Sequence, residues 1–100
     1  MEKIKEKELL EEKVEDVIDD NDAELFVLND DFNTFEKVTK CLMEYCNLDL
    51  NLAYVCTLII HHYGECCVLR DKKSVLHPIC ENIIESGLDA EIRDIKEDKK

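Results

Sequence analysis

The chain has 100 residues, with 25 acids against 13 bases and a formal net charge of −12. That length is one domain, near the lower limit for folding without staples, and that charge excludes the basic face that nucleic-acid phosphates or anionic membranes demand. An apolar fraction of 45% with two Gly and one Pro excludes a chain disordered throughout and any low-complexity or collagen-like reading.

The N-terminal stretch has no apolar core of a secretory signal, and runs such as Val55 to Ile60 are far too short to span a bilayer. The six cysteines therefore read as reduced thiols of a cytoplasmic protein. Residues 1–22 hold ten acids and four bases. Ile4, Leu9, Leu10, Val14, Val17 and Ile18 lay a thin helical stripe on them. This segment reads as a mobile extension or conditional helix, broken at 19–22: a solvating tail, or an arm that a partner grips.

Glu24 to Asn29 is short, apolar and followed by turn formers, which predicts a first strand. Asn29 to Asn33 is a polar loop. Asn33 with Glu36 three residues on predicts a capped helix start, and Phe35, Val38, Leu42 and Tyr45 share one face of that helix. Asp49 predicts the cap of a second helix with Leu52, Val55, Cys56, Ile59 and Ile60 as its apolar stripe. Gly64 ends it in the left-handed region that glycine enters cheaply. Glu65 to Arg70 is a second strand, and Arg70 to Lys73 a turn. A third helix starts at Ser74 or His77, with Pro78 in its first turn, and stops at Gly87. Leu88 to Arg93 is the last strand. The order gives an α+β fold: a small single domain with a three-stranded antiparallel sheet packed against three helices. The expected organisation is an acidic flexible extension over 1–22, the domain over 23–95 and a charged tail over 96–100.

Chemistry-bearing residues are few. His61, His62, Cys66 and Cys67 suggest zinc, but adjacent strand residues point to opposite faces and no CxxC or HxxxH spacing is present, so no metal is expected. Cys41, Cys56, Cys67 and Cys80 read as small buried hydrophobes. A Cys–His nucleophile lacks a Gly-rich turn to build an oxyanion hole, so the protein is not expected to be an enzyme. Asn29 and Asp30 lie where a strand meets a helix, and His61 lies near the end of the next helix. If those helices pack antiparallel, the three meet beside Phe35, Val38, Thr57 and Ile60, with polar groups at the rim of an apolar pocket. From periodicity alone, an ordinary turn and a satisfied helix-end histidine remain the open alternative.

The run Val27-Leu28-Asn29-Asp30-Asp31-Phe32 followed by Glu36 and Val38 resembles the signature of the ClpS family, adaptors of the ATP-dependent Clp protease. A second signature, a His shortly before a Gly at a helix end, is present as Ile60-His61-His62-Tyr63-Gly64. The resemblance covers about residues 24–93, and an acidic N-terminal extension is typical of the family. The chain departs from the pattern at Asn33-Thr34, where many members have Thr-Pro, and at Phe35 and Thr57, where many have Met. The loop after the second strand is shorter, and Glu91 stands near where many members carry a Leu.

The resemblance implies an adaptor that binds N-degron substrates beginning with Leu, Phe, Tyr or Trp and delivers them to a Clp AAA+ unfoldase. The free α-amino group would meet Asn29, Asp30 and His61, and the first side chain would enter a pocket of Phe35, Val38, Thr57 and Ile60. Asp31 and Asn33 would form the substrate rim. A neutral His61 would accept from the ammonium, so binding is expected to weaken below about pH 6, where imidazoles ordinarily protonate. The partner implied is the N-terminal domain of a ClpA-type unfoldase, gripping the 1–22 arm during transfer. No cofactor, nucleic acid or membrane is expected, and the protein is expected to be a monomer. The alternatives are a divergent family member that modulates the unfoldase without binding degrons, or a His/Cys metal-binding module.

Overall fold

Alternation along Asp22–Leu28 puts Ala23, Leu25 and Val27 on one face, and none of the three keeps any exposed surface. This segment is strand β1. The computed structural model describes residues 21–95. The expected charged tail and all but the last two residues of the expected acidic extension lie outside the described residues. Strand β2 is Glu65–Lys72 and β3 is Asp89–Asp94. The sheet order is β2-β1-β3, with both pairings antiparallel.

β1 is central because it alone is apolar enough to be covered at every inward position. Its inward residues face Cys66 and Leu69 of β2 and Ala90 and Ile92 of β3. The β1–β2 register slips between Leu25, opposite Leu69, and Phe26, opposite Cys67. Val68 is the extra residue of that β-bulge, which turns both Val68 and Leu69 toward the core. The same phase corrects one expectation: Cys67 is exposed and Cys66 is buried in its place, because Cys66 pairs with inward Val27 and Cys67 with outward Phe26. Burial pushes the Cys46 and Cys66 thiols up to about 12, which suits packing and not nucleophilic chemistry.

Helix α1 is Phe35–Tyr45, α2 is Leu50–Tyr63 and α3 is Lys73–Glu85. Asp49 caps α2 as expected, its Oδ1 accepting from the Leu52 N–H at 2.8 Å. α1 differs. Its cap is Thr34, whose hydroxyl accepts from the Lys37 N–H at 3.1 Å. Asn33 is drawn away by other partners, so the reading of Asn33 with Glu36 as a cap is one residue early. α3 also differs. β2 runs to Lys72 and α3 begins at the next residue, so no turn occupies 70–73, and Pro78 lies inside the helix and not in its first turn. The proline ring forfeits one backbone hydrogen bond there, and Leu76, Cys80 and Ile83 keep the helix in place by burial.

Gly64 ends α2 at φ 93°, as its sequence position predicts. Gly87, at φ 107°, closes α3: its N–H reaches the Ile84 carbonyl and that of Leu88 reaches the Ile83 carbonyl, a Schellman arrangement. The helices pack on the inward face. On the outward face Arg93 crosses β1, with its Nη1 and Nη2 donating to Glu65 at 2.9 and 2.7 Å. The guanidinium lies 3.9 Å from the Phe26 ring centroid. This bidentate, ring-stacked arginine ties the two edge strands together over the central one.

Candidate functional site

The loop from Asn29 to Thr34 joins β1 to α1, and its first residue is tied to the end of α2 by a backbone contact. The Asn29 N–H donates to the Gly64 carbonyl at 2.8 Å. Since Gly64 directly follows α2, this bond brings the start of the loop to the helix end that carries His61. The expected meeting of helix ends is therefore present. Phe35, the first residue of α1, confirms it from the other side: its ring sits edge-on to His61 with centroids 5.3 Å apart.

Asn29 and His61 are exposed, and no side-chain hydrogen bond among the described residues uses either of them. Asp30 is different. Its Oδ1 accepts from the backbone N–H groups of Phe32 at 2.9 Å and Asn33 at 2.8 Å, and its Oδ2 accepts from Asn33 Nδ2 at 2.7 Å. Asn33 Nδ2 also donates to the Gly87 carbonyl at 2.9 Å. A chain of bonds thus runs from the loop through Asn33 to the end of α3, which is why Asn33 does not cap α1. The backbone N–H of Asn33, ahead of any other influence, holds the Asp30 carboxyl below the usual carboxylate range. Asp30 builds the loop that follows Asn29, and its carboxylate retains lone pairs beyond these three bonds. Asp31 is exposed beside it.

Helical spacing puts Phe35 with Val38, and Thr57 with Ile60 and His61, on facing sides of α1 and α2. Val38, Thr57 and Ile60 are buried, and Phe35 is half-buried. The Thr57 hydroxyl donates to the Ala53 carbonyl and lies 2.8 Å from the Thr39 hydroxyl. No described buried side-chain polar atom is left unpaired, so this apolar floor carries no polar penalty. With Val38, Thr57 and Ile60 withdrawn from solvent, Phe35 and His61 are the members of this set that keep exposed surface. Glu91 is not part of the site. It is the strand partner of outward Phe26 and pairs with Arg93 on that face.

No group of three or more His, Cys, Asp and Glu among the described residues is arranged to hold a metal. No described helix is long and apolar enough to cross a membrane. Three features have no local sequence signal: the Asn33 bridge to Gly87, the Thr39–Thr57 pair and the Arg93 clasp. Each joins residues far apart in the chain.

Acid should loosen this site. Asp30 and Glu65 both have lowered carboxyl pKa values, Asp30 from backbone N–H bonds first and Glu65 from the Arg93 hydrogen bonds first. A depressed folded-state pKa stabilises above the ordinary carboxylate value and is lost as pH falls through the folded one. The thermal midpoint should therefore fall steeply below about pH 4, and Asp30→Asn should flatten that limb while lowering stability at neutral pH. Parallel pH curves for the two proteins would discard Asp30 as the acid-sensitive group.

A family model for "ATP-dependent Clp protease adaptor protein ClpS" matches residues 18–91. An ATP-dependent Clp protease adapter protein ClpS of Thermosynechococcus vestitus is 35% identical over 65 residues, which is 64% of this chain and 69% of that protein. One from a Nostoc species is 42% identical over 45 residues, 44% of this chain and 46% of that protein. Among solved structures, Agrobacterium tumefaciens ClpS2 bound to L-phenylalaninamide superposes with a TM-score of 0.69 at 18% identity, covering 74% of this chain and 96% of that one. That last likeness is one of fold.

Proposed function

This chain belongs to the ClpS family of ATP-dependent Clp protease adaptors, non-enzymatic proteins, and we propose that it binds N-degron substrates by their free α-amino group and apolar first side chain and delivers them to a ClpA-type AAA+ unfoldase. One observation carries the reading: the bond from Asn29 to Gly64 brings the exposed Asn29 to the end of α2 that carries the exposed His61, whose ring meets the half-buried ring of Phe35. A primary ammonium offers three donors and no acceptor. Asn29 Oδ1, a neutral imidazole nitrogen of His61 and a free lone pair of Asp30 are the complementary acceptors. That a relative in the same fold is bound to L-phenylalaninamide, a molecule with a free amine and an aromatic side chain, supports the same chemistry here.

The first side chain is taken by Phe35 with Val38, Thr57 and Ile60 beneath. Burying a Leu or Phe contributes roughly 1.5–3 kcal/mol, and hydrogen bonds to a charged group about 1.5–3 kcal/mol each. After the cost of association this gives an affinity on the order of micromolar or tighter. Val and Ile are rejected, because branching at Cβ crowds the mouth beside Phe35. Asp31 borders the second ligand residue. Asn33, committed to Asp30 and Gly87, shapes the rim from behind. The protein works as a cytoplasmic monomer, and its residues 1–22 form the arm that the unfoldase grips.

The test is degradation of a Phe-initiated substrate by a ClpA-type unfoldase with its peptidase. Degradation should depend on this protein and be lost with Asn29→Ala/His61→Ala. Removing residues 1–20, which spares β1, should leave peptide binding intact and abolish delivery. Normal delivery by the shortened chain would exclude the arm. Binding-site variants with no effect would favour the alternative in which the protein only modulates the unfoldase.

A further inference from the structure

Helix α2 carries no Asp, Glu, Lys or Arg in its 14 residues, in a chain where 38% of residues are charged. A helix that is apolar all round is ordinarily buried all round. One flank of α2 buries Ala53, Cys56, Thr57 and Ile60. On a second flank, Tyr54 and His61 meet the Phe35 ring. The third stays open among the described residues. Leu52, Val55, Ile59 and Tyr63 form it, at i, i+3, i+7 and i+11 spacing. Leu52, Val55 and Tyr63 are 50%, 48% and 81% exposed, and Ile59 is half-buried. A contiguous apolar stripe of this kind marks an interaction surface.

The chain itself supplies an occupant. Residues 1–20 precede the described fold, and their sequence sets Leu10, Val14 and Val17 at i, i+4 and i+7. That is the side-chain spacing by which one helix packs on another. They enter the fold at the right end. The Asn21 carbonyl accepts from the Lys73 N–H at 3.2 Å, and Asp22 lies opposite Lys72, the last residue of β2. Gly64 alone separates α2 from β2, and the two pack together. α2 therefore returns along β2, with its first turn toward that same end. Twenty residues span up to about 66 Å when extended, against about 21 Å for the length of α2. The segment can cover the flank and still spare residues for the connection.

Charge favours the same seat. Residues 1–20 hold nine acids and four bases. In a chain of net charge −12, an uncharged flank is where an acidic segment meets least repulsion. Arg70 and Lys72, both exposed on β2 toward the entry point, attract it there.

We propose that residues 9–18 dock as an amphipathic helix on the flank of α2 formed by Leu52, Val55, Ile59 and Tyr63. The N-terminal arm is then stored on the body of the protein until a partner draws it off. The proposal stands apart from the degron reading, because no residue of this flank belongs to the first-residue site.

The test compares amide spectra of the full chain, the chain without residues 1–20, and full-length Leu10→Ser/Val14→Ser. Removing the segment should shift the amide signals of Leu52, Val55 and Tyr63. Leu10→Ser/Val14→Ser should shift them in the same direction. Amide exchange at Leu10, Val14 and Val17 should be about tenfold slower in the full chain than in Leu52→Ser/Val55→Ser, whose changes fall on exposed positions. Signals of α2 that ignore both changes to the segment overturn the docking. So does exchange as fast in the full chain as in the α2 variant. Signals at Leu52 and Val55 that move with protein concentration, together with a doubled mass in sedimentation, would give the flank to a second copy and overturn it as well.

Discussion

A peptide that begins with Phe should lose at least about a hundredfold in affinity when its α-amino group is acetylated. Acetylation replaces a cation with three donors by an amide with a single N–H. The acceptors on the protein side are then left facing a neutral group that can satisfy at most one of them. Hydrogen bonds to a charged partner contribute about 1.5–3 kcal/mol each, so losing two of them alone exceeds a hundredfold. The effect should be visible because no described residue competes for these groups: Asn29 and His61 make no side-chain hydrogen bond among the described residues. Asn29→Ala and His61→Ala should each reduce binding of the free-amine peptide and barely change that of the acetylated one, which no longer uses them. Acetylated and free peptides bound within threefold of each other would remove the ammonium from the account.

Local signals were legible in the sequence where one residue decides one thing. Asp49 and Gly64 bracket α2 because a carboxylate at the start and a glycine at the end each act within their own turn. Gly87 did the same for α3. Elsewhere the local signal is overridden by a distant partner or is missing. Asn33 is as good a cap as Thr34, but its amide is taken by Asp30 and by a carbonyl 54 residues away, and the cap passes to Thr34. Pro78 looked like a first-turn residue because nothing at Lys72 or Lys73 announces a helix start, and the helix there has no side-chain cap at all. Cys66 and Cys67 exchanged roles because strand phase depends on register with β1, which a list of apolar residues does not contain. The candidate site shows the same division. The meeting of the Asn29 loop with the end of α2 followed from two helix ends, whereas the commitment of the Asp30 carboxylate to its own loop became visible only with Asn33 in place.

Leu25→Ala should lower stability by about 3–4 kcal/mol, the range for deleting most of a fully buried leucine and leaving a cavity. Leu25 sits in the central strand, opposite Leu69 on one side and Ile92 on the other, with no exposed surface. The β2 bulge begins at this position, so the sheet is already committed to a bent shape there and has little freedom to close the hole. A domain of this size has only about 5–15 kcal/mol in total, and 1 kcal/mol moves its midpoint by roughly 4–8 °C, so the thermal midpoint should drop by roughly 12–32 °C. Phe26→Ala, one residue on, should cost clearly less although the side chain is larger. Phe26 is only half-buried, on the outward face beneath Arg93, and its removal leaves the Glu65–Arg93 bonds in reach of each other. The two variants separate stability from binding as well. Asn29 enters its loop directly from β1, and its N–H is fixed to Gly64, not to the core residues of the strand. At low temperature the folded fraction of Leu25→Ala should therefore bind Phe-initiated peptide with near-normal affinity. A midpoint drop under about 5 °C would mean that the core repacks around the missing side chain, and that β1 is held by its backbone ladder more than by its buried face.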